Sequence, residues 1–239
     1  MIGIGTIVNT IAVIAGGIVG ITFKRILSQR FQDTIMQSIG LAFIFIGIAG
    51  GMSKMLSIGE GSLVSGGSMI CAVSLAAGSL IGEGINIEKR FVKLGDLLKR
   101  KMGRDKDSTF IDGFVMASLS ICIGAMAIIG PIQDGLAGDP SMLYTKALLD
   151  GIVIIFLSAA FGVGAVLSAV PLFIFQFSLT LLARGIAGFL TTPIIDSISM
   201  IGSMLIFCVG ANMIFPVRIK TANMLPSLLI VILCTIFSP

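Results

Sequence analysis

Polar side chains inside long apolar runs are the residues of this sequence that could do chemistry. Asn9 lies in the first apolar run, in GTIVNT, and Gln176 lies near the middle of the sixth. Asp150 follows Lys146 by four residues in TKALLDGIV, so the two side chains share one face of a helix. Polar groups are costly inside a bilayer and mark substrate and ion pathways. We therefore predict that Asn9, Gln176 and Asp150 form a substrate-binding centre.

Each of these residues also has a structural interpretation, which the sequence leaves open. Either amide can hydrogen-bond a neighbouring helix and fix the bundle. Asp150 can bind a cation or relay a proton, or it can pair with Lys146 at the outer membrane interface. Two further acids, Glu83 in IGEGIN and Asp112, are predicted to lie toward the cytoplasmic mouth. Glu83 can instead extend to the headgroups, and Asp112 fits a capping box that begins with Thr109.

The composition assigns these residues to a membrane protein. The chain has 239 residues, of which 56% are hydrophobic and only 12% are charged. An average soluble domain carries about 25% charged residues, so this chain cannot build a polar surface large enough for water. We predict an all-α fold, a polytopic bundle of transmembrane helices that forms a single domain over residues 1–239.

Apolar runs long enough to cross the bilayer, about 20 residues of helix, recur eight times. Their approximate bounds are residues 2–23, 35–52, 67–85, 110–132, 143–162, 164–184, 194–215 and 223–237. The fifth and sixth runs are nearly continuous, and we divide them at FGVGAVLSAVP, where glycine and proline weaken a single helix.

The basic residues predict the orientation of these spans. Residues 86–108 form the only long polar interval, and they hold half of the sixteen Lys and Arg residues. These eight are Lys89, Arg90, Lys93, Lys99, Arg100, Lys101, Arg104 and Lys106. Basic loops stay in the cytoplasm, so this interval is predicted to be cytoplasmic. With eight spans, the N-terminus and the C-terminus both lie outside, and so does the loop IQDGLAGDPS, which carries Asp134 and Asp139.

The same interval has the pattern of an amphipathic helix. Ile87, Phe91, Leu94, Leu98 and Met102 recur at spacings of three and four, which gives one apolar stripe opposite a basic face. Such a helix would bind the anionic lipids of the inner leaflet. A solvated loop that only follows the charge rule explains the composition equally well. Nucleic acid is not an expected partner. The basic residues lie beside membrane spans, and no element near them could read a nucleic-acid groove.

Glycine patterns predict close helix packing and an internal repeat. The pairs Gly16 and Gly20, Gly47 and Gly51, and Gly78 and Gly82 have GxxxG spacing, which lets helix backbones approach. Such faces also allow a homo-oligomer. The second span, SIGLAFIFIGIAGGM, and the seventh, SMIGSMLIFCVGANMI, share residues in one register. Helices 1–3 would then match helices 6–8 in an inverted repeat, as in many secondary transporters, and Asn9 and Gln176 would meet near the midplane.

Absent residues and motifs exclude several functions. The chain has no histidine, so Ser-His hydrolysis and His-ligated metal sites are excluded. It has no Walker loop and no dinucleotide fingerprint, and its four cysteines lie in apolar runs without CxxC spacing. We expect neither an enzyme nor a bound cofactor or metal.

Several segments resemble a known family. They include GTIVNTIAVIAGGIVG, QSIGLAFIFIGIAGG, AAGSLIGEGINIE, GAMAIIG followed by QDGLAGD, KALLDG, and the late NMLPSL. This sequence is similar to the YqgA/YdfK-like bacterial inner-membrane proteins, named for domain of unknown function 554. The resemblance covers essentially the whole chain. It implies a multi-pass protein of the bacterial cytoplasmic membrane, often described as a transport protein without an agreed substrate.

Two functional hypotheses follow. The first is a secondary transporter or channel-like permease for a small solute or ion, with Asn9, Gln176 and Asp150 at its polar centre. The second is a non-transporting membrane scaffold or envelope-associated protein that binds lipid or protein through its basic cytoplasmic helix. Convergence of the polar residues on one site supports transport, whereas dispersion over separate helix contacts supports a scaffold.

Overall fold

The computed structural model describes residues 2–26, 28–59, 62–186, 188, 191–215 and 218–237, and it confirms the all-α class. The helices are α1 (Ile4–Ile26), α2 (Gln29–Met55), α3 (Ser68–Ile85), α4 (Ile87–Lys101), α5 (Phe110–Cys122), α6 (Ala125–Ala137), α7 (Ser141–Phe161), α8 (Val163–Val166), α9 (Ala169–Ile186), α10 (Thr192–Ile214) and α11 (Ser227–Phe237). A short antiparallel hairpin, β1 (Leu56–Gly59) with β2 (Ser62–Ser65), follows α2. A 3-10 turn, Thr221–Met224, precedes α11.

The helices are those of a multi-pass membrane protein. Six helical segments among the described residues are long and apolar enough to cross a bilayer, and α5 with α6 makes a seventh if this bent pair is one span. The predicted count of eight is not confirmed. Its last member, residues 223–237, contains the end of the 3-10 turn and the 11-residue α11. Eleven helical residues extend only about 17 Å, which is shorter than the bilayer core of about 30 Å.

Two breaks divide the apolar sequence. The predicted break between the fifth and sixth spans is confirmed at Gly162, whose φ of +84° ends α7. The fourth predicted span, by contrast, is not one straight helix. It bends by 61° between α5 and α6, next to Gly124, whose φ of +121° suits only glycine.

The structure corrects the position of Asp134, which the sequence assigned to an outer loop. Asp134 lies within α6 and is fully buried. The prediction was wrong because the apolar run was ended at residue 132, whereas α6 continues to Ala137. Packing explains this continuation, since Gly135 lies so close to α9 that an added Cβ would overlap the Thr180 carbonyl oxygen.

The chain groups into two compact units. Unit 1 contains Met1–Ile39, Phe91–Cys122 and Met126–Phe189, and unit 2 contains Gly40–Arg90, Ile123–Ala125 and Leu190–Pro239. This grouping neither requires nor excludes a single membrane domain over residues 1–239, which stays a prediction.

Close glycine contacts hold unit 1 together. A Cβ on Gly16 would overlap the carbonyl oxygen of Gly151, and one on Gly20 would overlap that of Ile155. The predicted role of this GxxxG pair is therefore confirmed: it brings the backbones of α1 and α7 into contact. The contact fixes the register of the two helices that carry Asn9 and Asp150.

Unit 2 uses glycine in the same way. Gly78 and Gly82 of α3 pack against the backbone at Ser227 and Asn223. In α2, Gly47 packs against the backbone of α10, as predicted, but Gly51 has only a side chain nearby, at 3.9 Å from its added Cβ. The predicted internal repeat stays a prediction.

The polar interval contains the predicted helix, α4. Phe91, Leu94 and Leu98 are half-buried, and Gly95 between them is buried against the ring of Phe114. The apolar stripe thus covers part of the protein itself. The basic side chains are mostly exposed, and lipid binding by this face stays a prediction.

Candidate functional site

Three helices of unit 1 bring the three central predicted residues into one hydrogen-bonded group. The Nδ2 amide of Asn9, on α1, donates to Asp150 Oδ2 on α7 at 3.0 Å and to Gln176 Oε1 on α9 at 3.2 Å. Asn9 and Gln176 are fully buried. Asn9 lies in the second turn of α1, closer to the helix start than predicted, while Gln176 lies near the middle of α9.

Lys146 completes this group, which we call the central cluster: Asn9, Lys146, Asp150 and Gln176. Its ammonium nitrogen lies 2.8 Å from both carboxylate oxygens of Asp150 and 2.8 Å from the carbonyl oxygen of Ile121 on α5. The side chains of Lys146 and Asp150 are only 7% and 8% exposed. The predicted alternative, pairing of Asp150 with Lys146, is thus confirmed, but the pair is buried together with both amides.

The central cluster leaves two polar atoms unsatisfied. Among the residues that the structure describes, Asn9 Oδ1 is an acceptor without a donor, and Gln176 Nε2 is a donor without an acceptor; both atoms are buried. An unsatisfied buried polar group typically costs about 1–3 kcal/mol. A ligand that donates to one atom and accepts from the other would remove both costs.

A second polar group lies beside the central cluster, and we call it the hydroxyl layer: Thr6, Asp134 and Thr180. The hydroxyl oxygens of Thr6 and Thr180 lie 3.5 Å apart. Asp134 Oδ2 accepts a hydrogen bond from the Gly5 backbone N–H at 3.0 Å, whereas its Oδ1 has no partner. All three side chains are buried.

The two groups are stacked along the same pair of helices. Thr6 precedes Asn9 by three residues on α1, and Thr180 follows Gln176 by four residues on α9. These spacings place the hydroxyl layer about one helical turn, or roughly 5 Å, from the central cluster. The sequence analysis missed Asp134 because that residue was assigned to a loop. The sequence did contain a signal, because Asp134 follows Gly130, the last residue of GAMAIIG, by four residues, which is helical spacing.

The other two predicted site residues do not join the central cluster. Asp112 lies in the first turn of α5, nine residues before Ile121, which corresponds to about 13 Å along that helix. Glu83 lies in unit 2, near the C-terminal end of α3. It pairs with Lys220 at 2.6 Å and accepts a hydrogen bond from Asn223 Nδ2 at 2.6 Å.

Glu83, Lys220 and Asn223, the Glu83 cluster, line one end of a groove of about 540 Å³ in unit 2. The hydrogen bond that Lys220 donates to Glu83 raises the pKa of Lys220 above its ordinary value. Asn223 Oδ1 accepts the backbone N–H of Glu88 at 2.7 Å and so caps the first turn of α4. Burial raises the pKa of the Glu88 carboxyl.

Comparisons with known proteins give relatives over almost the full chain. A family model, described as protein of unknown function (DUF554), matches residues 4–236 of this chain. The uncharacterized membrane protein YdfK of Bacillus subtilis (strain 168) is 37% identical over 226 residues, which cover 95% of this chain and 93% of the relative. The uncharacterized protein YqgA of Escherichia coli (strain K12) is 28% identical over 231 residues, covering 95% and 94%. No solved structure matches the chain.

Proposed function

The chain belongs to the family of proteins of unknown function DUF554, and from its buried polar groups we propose that it is a secondary transporter or channel-like permease. Its cargo is a small polar solute or ion that binds at the central cluster. The proposal includes a bacterial cytoplasmic membrane location with the N-terminus outside, as the basic residues predict. The C-terminus is also outside if the chain crosses the bilayer an even number of times.

The observation that carries this proposal is the convergence of Asn9, Asp150 and Gln176 from three helices onto one buried ion pair. A buried ion pair is a poor stabilising device, because desolvation of both charges offsets their attraction. Two unsatisfied amide atoms beside it add a further cost. These costs have a function if a solute completes the hydrogen bonds during transport.

The chemistry of the cluster indicates the solute class. Lys146 and Asp150 neutralise each other, so the cluster carries no net charge. Asn9 Oδ1 requires a donor, and Gln176 Nε2 requires an acceptor. A small molecule with both a donor and an acceptor, such as an amide or a zwitterion, fits better than a strongly charged metabolite.

Thermal unfolding of the detergent-purified protein tests the proposal. The panel contains small anions, cations, amino acids, amides and organic acids, each measured with the parent, Asn9→Ala and Asp150→Asn. A ligand at about 100 times its dissociation constant stabilises the folded state by about 2.7 kcal/mol. We expect one solute class to raise the midpoint of the parent and not of the two variants. Gln29→Ala, at an exposed glutamine that bonds Asp33, is the matched control and keeps the shift.

The scaffold hypothesis is the second candidate, and α4 supports it. The exposed basic residues of α4 form a face that fits anionic headgroups. If no solute moves the midpoint, and anionic vesicles bind the parent but not Lys93→Gln/Arg100→Gln, the scaffold replaces the transporter. Uptake of the stabilising solute into proteoliposomes, abolished by Asn9→Ala, would exclude the scaffold.

A further inference from the structure

The buried charges of unit 1 do not balance. The buried charged residues among those described are Asp134, Lys146 and Asp150. Lys146 and Asp150 form an ion pair, so Asp134 is left as a fully buried carboxylate for which the described part of the chain supplies no cationic partner. A buried charge that lacks a partner is expensive, and native proteins compensate it with a counter-charge or a bound ion.

The surroundings of Asp134 compensate this charge only in part. The Gly5 N–H, in the first turn of α1, donates to Oδ2, and the positive end of the helix dipole also stabilises a carboxylate there. Among the described residues, Oδ1 has no hydrogen-bond partner. The contacts of Asp134 with Gly5, and of Gly135 with the Thr180 carbonyl, bring the carboxylate to the level of α1 and α9 that carries the Thr6 and Thr180 hydroxyls.

The three residues of the hydroxyl layer come from three helices that contact one another at this level. Asp134 contacts α1 at Gly5, because a Cβ added to Gly5 would lie 3.0 Å from Asp134 Oδ2. Thr6 is the next residue of α1 after Gly5. The next residue of α6, Gly135, packs on the carbonyl of Thr180. The two hydroxyl oxygens are 3.5 Å apart, so neither makes a strong hydrogen bond to the other.

We propose that Thr6, Asp134 and Thr180 form a sodium site. Carboxylate and hydroxyl oxygens are ligands for hard cations, whereas transition metals prefer imidazole and thiolate. Ca²⁺ and Mg²⁺ carry two charges and are usually bound by several carboxylates or phosphates, whereas this layer contains one carboxylate. A layer with one carboxylate and two neutral hydroxyls matches the single charge of a sodium ion, which would neutralise Asp134.

The role of this site rests on the proposed transport function: sodium is the coupling ion. Thr6 and Asn9 share one face of α1, and Thr180 and Gln176 share one face of α9. A sodium ion that draws Thr6 and Thr180 together would therefore fix the spacing of the two amides one turn away. Sodium binding would then raise the affinity for the solute, and the solute would raise the affinity for sodium by the same factor.

The first test measures sodium binding without any solute. The unfolding midpoint of the purified protein is followed while NaCl replaces choline chloride at constant ionic strength. We expect a saturating rise for the parent. In Asp134→Asn and in Thr6→Val/Thr180→Val, the sodium concentration at half-maximal shift should increase roughly 10–100-fold, the factor expected when a buried charged or polar ligand is lost.

The variants are chosen so that they fold. Asparagine keeps an oxygen that can accept the Gly5 N–H, and valine has nearly the shape of threonine. Thr10→Val is the matched control, because the Thr10 hydroxyl only donates to the Thr6 carbonyl of its own helix, at 2.8 Å. This control should keep the sodium response of the parent.

Three outcomes of this first test would overturn the sodium site. They are equal unfolding midpoints in sodium and choline, a full sodium-induced shift in Asp134→Asn, and a midpoint that responds to pH alone, which would make the carboxylate a proton site.

A second test separates this site from the solute site by repeating the solute panel in both salts. A solute shift in both salts, without a sodium shift, would leave the transporter intact and remove the coupling ion. A sodium shift with no solute response would retain the ion site and remove the transporter.

Discussion

Two clusters in this protein use the same three chemical groups in opposite environments. The central cluster joins Asp150, Lys146 and the Asn9 amide, and the Glu83 cluster joins Glu83, Lys220 and the Asn223 amide. The charged side chains are 7–8% exposed in the first cluster and 52–59% exposed in the second. Distance does not separate them, because the ion pairs measure 2.8 and 2.6 Å.

The difference in exposure determines what each cluster can do. Water solvates the Glu83 cluster, so either charge can lose its partner at little cost. In the central cluster a charge that loses its partner stays desolvated. The central cluster therefore resists any state in which the pair is open, unless a ligand supplies the missing contacts. This is the behaviour expected of a binding site, whereas the Glu83 cluster fixes the start of α4.

The largest expected difference between the two clusters is the stability lost when the lysine of each is replaced. We expect Lys146→Met to lower the free energy of unfolding by about 3–5 kcal/mol, because Asp150 becomes an unpaired buried charge. Lys220→Met, the matched change at an exposed pair, should have a far smaller effect. Chemical denaturation in detergent micelles measures both.

A second substitution controls for packing. Lys146→Met combined with Asp150→Asn removes both charges and should recover most of the lost stability, since no buried charge remains. Equal losses for Lys146→Met and Lys220→Met would mean that water reaches the central pair, and the comparison between the clusters would fail.

The sequence predicted the central cluster well for a simple reason. Asn9, Asp150 and Gln176 are polar residues in apolar runs, where each must find a partner, and partners in a helical bundle are other such residues. Lys146 was recognised as the partner of Asp150 from its spacing of four.

The rest of the site depends on tertiary packing. The apolar run ends at residue 132, but α6 continues to Ala137, and the contact of Gly135 with α9 explains the added helical turn. Asp134 was misplaced with that turn. The bend between α5 and α6 was missed for the same reason, since a helix and a broken helix have the same apolar composition.

The asparagines should separate binding from stability. Asn9→Ala removes two hydrogen bonds, one of them to a charged group, which destabilises the fold, and it also removes one unsatisfied oxygen, which stabilises it. We expect the free energy of unfolding to fall by about 1–2 kcal/mol. Asn223→Ala removes the cap on the Glu88 N–H and the hydrogen bond to Glu83, and it should cost about 1–2 kcal/mol.

Only Asn9→Ala should abolish the solute-induced rise of the unfolding midpoint, although the two variants are similarly stable. Thermal unfolding with and without the stabilising solute measures this. Loss of the solute response in Asn223→Ala would move the binding site to the groove beside Glu83.

The smallest effect concerns screening and pH at the Glu83 cluster. Choline chloride at 1 M shortens the Debye length to about 3 Å, so the stability difference between the parent and Lys220→Met should shrink, while that for Lys146→Met should persist.

The pKa of Lys220 is raised by Glu83, so the pair stabilises the folded state fully below the ordinary lysine pKa of about 10.4. Its contribution is lost only as the pH rises through the higher, folded-state value. Unfolding curves at pH 8 and at increasing alkaline pH test this sign. A difference that vanishes already near neutral pH would mean that the Glu83–Lys220 pair does not form in solution.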